Sequence, residues 1–144
     1  MKSNRNVVIA RNLLIGAGAY YISVWLSMPL EFGFGKLTEG LRYSGDFNIA
    51  VVAPLVSRFP RAVLAAAAGA AVASLTESKY PIGWAIFPAV LYGVLGFFNY
   101  HFARPPVPIF RVAQAIGALF PAVACVAGAL WQNRRRTTLE STPC

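Results

Sequence analysis

The chain predicts an all-α fold, an integral membrane protein built as a four-helix transmembrane bundle. Two observations predict it. Three strongly apolar stretches and a weaker fourth take up most of the 144 residues, and the charged residues collect at the ends of those stretches. Hydrophobic residues make up 57% of the chain and charged residues 12%, where soluble domains carry about 25% charged residues. The mean hydropathy is +0.55. A single domain this short has too much surface for its volume to hide that much apolar side chain in its own core. Contact with lipid resolves the mismatch.

The first span is expected over residues 12–30, from Asn12 to Leu30, with Pro29 and Glu31 closing it and a loop following from Glu31 to Asp46. It begins like a signal peptide, with basic residues and then an apolar run, but continues for the length a spanning helix needs. It ends Ser27-Met28-Pro29-Leu30-Glu31, without a small-x-small cleavage site, and so reads as a retained span. The second span, residues 60–76, is the weak one. Its apolar part, Ala62–Leu75, is about 21 Å long as a helix, short of the ~30 Å hydrocarbon core. Either a kinked span reaches back through residues 48–57, or an amphipathic or re-entrant segment (residues 47–56) leads into a short Ala-rich span. The second reading is preferred, because Phe59-Pro60-Arg61 places proline where a first helical turn accepts it. The third span is expected over residues 80–103 and the fourth over 107–131. The stiff connection Arg104-Pro105-Pro106-Val107-Pro108 makes them an antiparallel hairpin. Pro88 and Pro121 should kink these helices. Residues 132–144 form a basic cytoplasmic tail, and residues 1–144 a single membrane domain.

The net charge of +8 suggests nucleic acid at first sight. The arginines and lysines do not form a groove interleaved with aromatics, however, so no nucleic-acid partner is expected. Arg5 and Arg11 precede the first span and Arg134, Arg135 and Arg136 follow the last, which is the pattern of topology and headgroup anchors. Four spans put both termini on one side, and these clusters make that side cytoplasmic. Lys79 agrees; Lys36, Arg42, Arg58 and Arg61, in the first outer connection, run against the rule. Trp25 is then expected at the outer interface, and Trp84 and Trp131 at the cytoplasmic one.

Small residues recur at four-residue spacing, the pattern of close helix packing: Ala65, Gly69 and Ala73 on span two; Ala85, Ala89 and Gly93 on span three; Ala113 with Gly117, and Ala124 with Gly128, on span four. Gly16 and Gly18 crowd span one. These faces serve packing within the chain or against another chain, and Leu at Gly69 or Gly93 is expected to abolish any association made through them. The intramembrane polar residues are mild. Gln114 and Tyr92 stand out as interhelical hydrogen-bonding groups, beside Ser23 and Cys125.

Chemistry, if present, is expected at the outer interface, where Glu31, Lys36, His101 and Arg104 gather by topology. Histidine there can gain or lose a proton near neutral pH. The same residues also make an ordinary interfacial belt of aromatics and ion pairs. The chain has no Walker spacing, no HExxH, no Cys-x-x-Cys and no nucleophile elbow. No metal site is expected. Cys125 and Cys144 suggest neither a disulfide framework nor prenylation.

Phe34-Gly35-Lys36-Leu37 after the first span, and Asn99-Tyr100-His101-Phe102 ending the third, resemble motifs of the DoxX-like family of small four-helix bacterial membrane proteins. The chain departs from that family in lacking a glutamate in span two and a Gly-Gly in span four. The resemblance implies a bacterial inner-membrane protein linked either to quinone or sulfur redox complexes or to other membrane subunits. From the residues alone, the leading expectation is a small membrane subunit or accessory protein that packs into a larger complex. The alternatives are an oligomeric small-solute transporter or channel, and a redox- or lipid-linked enzyme. Membrane lipid, other membrane subunits or further copies of the chain are the expected partners. No cofactor is predicted, although a bound lipid or quinone is compatible with the spans.

Overall fold

The computed structural model describes residues 5–42, 52, 55–76, 81–103 and 108–140. Among these the chain is helical, with no strand. Four helices carry the fold: α1 (Arg5–Arg42), α2 (Phe59–Leu75), α3 (Pro81–Ala103) and α4 (Pro108–Glu140). Three stretches are long and apolar enough to cross a membrane: Asn6–Gly40, Pro81–Asn99 and Arg111–Thr138. Helix α2 is apolar but shorter, with 17 residues.

The prolines fall where the backbone tolerates them. Pro60 sits in the first turn of α2 and Pro108 opens α4, positions whose N–H groups have no intrahelical partner. Pro29, Pro88 and Pro121 lie inside α1, α3 and α4 without ending them.

Two expectations about boundaries are corrected. Helix α1 does not close at Pro29 and Glu31. It runs on to Arg42, so residues 31–42 of the expected first loop are helical. Proline removes one donor but leaves the turns on either side intact, and the Thr38 hydroxyl donates back to the Phe34 carbonyl (2.9 Å) in the added turns. Helix α4 likewise continues through the expected basic tail to Glu140. There the Thr137 and Thr138 hydroxyls donate to the Arg134 carbonyl (2.8 and 3.0 Å), and the Arg135 guanidinium lies 4.3 Å over the Trp131 ring. Most of the expected amphipathic or re-entrant segment, and the Arg104–Val107 connection, lie outside the described residues. Of the former, residues 52, 55 and 56 are helical.

Helices α2 and α3 touch each other across the middle, and each also packs on α1 and α4, which stand at opposite corners. One end of the assembly is marked by Arg61 of α2 meeting Glu31 of α1. The other is marked by Arg136 of α4 donating to the Ser74 carbonyl near the end of α2. The core has two layers. Ala65, Ala89, Tyr92 and Cys125 form one, backed by Tyr20 and Val24. Val72, Ala73, Ala85 and Ala129 form the other, backed by Ile15, Ala19 and Trp84. Trp84 is thus partly packed on the core, whereas Trp25 and Trp131 are exposed.

A core of alanines requires close helix axes, and glycine supplies the closest approaches. A Cβ on Gly69 would strike the Cys125 carbonyl, and one on Gly128 would strike the Ala66 carbonyl. These two glycines seat α2 and α4 against each other backbone to backbone. Gly96 does the same for α3 against the Ala118 carbonyl of α4. Gly18 and Gly93 have nothing within 4 Å of where a Cβ would stand.

Candidate functional site

The inner face of α1 carries a line of small and polar residues. Asn12, Gly16, Ser23, Ser27 and Thr38 are all buried on it. Their separations of 4, 7, 4 and 11 residues are close to whole numbers of helical turns and keep them on one side of the helix. The outer face carries large apolar residues such as Leu14, Tyr21, Ile22 and Trp25. This helix is polar inward and apolar outward, the reverse of a soluble amphipathic helix.

The line builds a polar cluster against α2 and α3. The Ser23 hydroxyl donates to the Tyr20 carbonyl (2.8 Å), and the Tyr92 hydroxyl pairs with Ser23. Tyr92 is 2% exposed and meets the Tyr20 ring edge-on at 4.9 Å. One turn outward, Ser27 donates to the Val24 carbonyl (2.8 Å) and accepts from Arg61 Nε (3.3 Å). Arg61 Nη2 then binds Glu31 Oε2 at 2.6 Å. The two charged side chains are 16% and 21% exposed, so this pair is largely withdrawn from solvent. The second carboxylate oxygen of Glu31, Oε1, is buried without a hydrogen-bond partner.

Arg58 occupies the position just before α2, without a side-chain capping bond, and lies over Gly117 of α4. Its Cδ and Nη1 stand 3.2 and 3.4 Å from where a Cβ on that glycine would be. Gly117 therefore makes room for an arginine rather than for a neighbouring helix. Arg58, Arg61, Tyr92, Asn99 and Gly117 line a small cavity of about 10 Å³, room for about one water molecule.

The opposite end is simpler. Thr76 donates to the Val72 carbonyl (2.8 Å) and Ser74 to the Ala71 carbonyl (2.8 Å). Asn12 is 1% exposed, and both polar atoms of its amide lack a partner.

Two wide apolar grooves run along the outside. One lies between α1 and α2, about 430 Å³, lined by Leu14, Gly18, Ile22, Leu26, Leu64 and Ala71 among others. The other lies between α3 and α4, about 480 Å³, lined by Ile86, Ala89, Val90, Ala122, Val126 and Leu130 among others.

The residues expected to carry chemistry are placed as follows. Glu31 is bound by Arg61. Lys36 is exposed, with its ammonium 4.8 Å over the Phe32 ring. His101 is exposed and stacks on Phe97 at 6.1 Å. Arg104 lies outside the described residues, and so does the side chain of Gln114. Among the described residues no group of three or more His, Cys, Asp or Glu side chains gathers as a metal site. Sequence reasoning missed the inward turn of Arg61, which it placed outside, and the part played by Ser27. The available signal was the Ser23, Ser27, Glu31 series at four-residue spacing. The chain matches no family model, no curated protein and no solved structure.

Proposed function

We propose that this protein is a small integral membrane subunit that packs into a larger membrane complex through the outer face of α3 and α4. In this reading α2 is a fourth span. Its 17 residues cover about 25 Å, and the charge of Arg61 near its start is paired with Glu31 of α1, which is how ionisable groups at membrane depth are accommodated.

The groove between α3 and α4 carries the proposal. It is apolar along its length, and alanines 89, 122 and 127 supply much of its floor. Gly93 follows Val90 and Ala89 at three- and four-residue spacing, so it continues the same face, and nothing stands within 4 Å of where its Cβ would be. Between membrane helices there is no hydrophobic driving force, because lipid tails are as apolar as leucine. Association depends on close backbone approach over small residues. Gly69, Gly96 and Gly128 already spend their small size inside the chain; Gly93 remains for a neighbour.

The test is association in native membranes. Gly93→Leu and Ala127→Leu should each release the chain from its complex on gentle extraction while leaving its helix content unchanged. Native mass analysis reads the result, and an intact complex in both variants would overturn the proposal. Gly69→Leu is not an informative variant, since it drives a side chain into the α4 backbone and breaks the fold itself.

A further inference from the structure

Pro121 lies inside α4 and has no N–H, so the helix cannot close the bond from that position to the Gly117 carbonyl. Membrane helices tolerate such a proline where a neighbouring helix, a side chain or an ordered water satisfies the freed carbonyl. Gly117 and Pro121, the two ends of the missing bond, both line the cavity of about 10 Å³, and Tyr92 of α3 and Arg61 of α2 line it with them. The direction of the bonds around it follows from counting protons. Ser23 gives its one hydroxyl proton to the Tyr20 carbonyl, so in the Ser23–Tyr92 pair the donor is Tyr92. The Tyr92 oxygen keeps its capacity to accept. Arg61 gives Nε to Ser27 and Nη2 to Glu31, and a guanidinium has five N–H groups in all, so donors remain on its fork.

We propose that this cavity is a binding site for a single water molecule, which donates to the Gly117 carbonyl and the Tyr92 oxygen and accepts from Arg61. The volume suits one water, and a buried water makes two to four hydrogen bonds, here three. Water also has the required valence, with two protons for two acceptors and a lone pair for a donor. A small anion offers only lone pairs, which would oppose the carbonyl and the phenol oxygen, and the Arg61 charge is already met by Glu31. A metal cation would stand against a guanidinium. Gly117 and Pro121 bring no polar side chain of their own to the cavity, so the water is what ties α4 to the polar cluster of α1, α2 and α3 at the point where its own backbone ladder is broken. The site lies between helices of one chain and does not depend on a partner at the outer face of α3 and α4.

Crystal structures that resolve ordered water, from crystals grown in sodium bromide, test this on the unaltered chain, Tyr92→Phe and Pro121→Ala. Tyr92→Phe takes away one acceptor. Pro121→Ala returns an N–H to α4, so the helix itself can satisfy Gly117. Neither variant adds bulk to the cavity. The expected result is one water within about 3.2 Å of the Tyr92 hydroxyl, the Gly117 carbonyl and the Arg61 guanidinium, with its occupancy reduced at least twofold in each variant. A dry cavity in the unaltered chain, anomalous bromide density inside it, a side chain seated on the Gly117 carbonyl in place of water, or full occupancy retained in both variants overturns the proposal.

Discussion

Single residues in this protein act through size and through polarity in an apolar setting. Gly69 and Gly128 have no space for even a methyl group, because the neighbouring helix presents its backbone there. Gly69→Ala and Gly128→Ala should each destabilise the chain by about 1–3 kcal/mol, the usual cost of overpacking, read as a fall in thermal unfolding temperature in detergent. Gly93→Ala, at an open position, should leave that temperature unchanged. Tyr92→Phe removes one interhelical hydrogen bond but leaves Ser23 its bond to the Tyr20 carbonyl. The expected loss is about 0.5–1 kcal/mol, since such bonds in membranes are individually modest. Arg61→Ala is a different case. It leaves the Glu31 carboxylate withdrawn from solvent without its cation, at a cost of about 1–3 kcal/mol, whereas Glu31→Gln/Arg61→Gln should restore much of that loss. A double-mutant cycle of unfolding measurements on Glu31→Gln, Arg61→Gln and the double variant checks this; losses that simply add across the two single variants would show that the pair contributes nothing.

Helix α1 shows most clearly what an element's pattern can and cannot reveal. Its 38 residues extend about 57 Å, nearly twice a ~30 Å hydrocarbon core, and the turns after Glu31 therefore pass well beyond α2's first turn. Phe32 and Leu37 are exposed there, at 67% and 77%, while Thr38 is buried. Proline and glycine in residues 29–40 read as a span closing into a loop. The helix persists because one proline removes only one donor, and because Arg61 of α2 binds Glu31 on its inner face. Nitroxide labels placed singly along residues 32–40 should show mobility and accessibility with a helical period of about 3.6 residues. A uniform, loop-like profile would remove the helical extension. The inner stripe of α1 was readable from spacing alone, yet the contrast is easily missed, since it separates small and polar residues from large apolar ones rather than polar from apolar.

The arrangement of the whole molecule brings the start of α1 and the ends of α2 and α4 toward one end, with Glu31 and Arg61 at the other. The charge clusters predict both termini in the cytoplasm, and on that topology Asn6→Cys and Cys144 should react with a membrane-impermeant thiol reagent only after the cells are opened. Leu37→Cys should react in intact cells. Cys125 is buried and should stay unmodified in each case. Labelling of Asn6→Cys and Cys144 from opposite faces would replace this topology with one of three or five crossings.

Composition and the apolar runs were sufficient for helices, for membrane-compatible length in three of them and for the approximate limits of α2 and α3, because a helix satisfies its own backbone and needs no distant partner to do so. Helix assembly is another matter. In a bilayer both the lipid-facing and the helix-facing sides are apolar, so the pattern of small residues marks surfaces that can approach without saying which of them do. Gly69 and Gly93 look alike in the sequence; one is pressed on the Cys125 carbonyl and the other faces outward. Arg61 likewise has the look of a loop cation until α1 brings Ser27 and Glu31 within reach. Those outcomes depend on which helix backbones meet and at what depth, and hence on contacts between residues 30 or more positions apart.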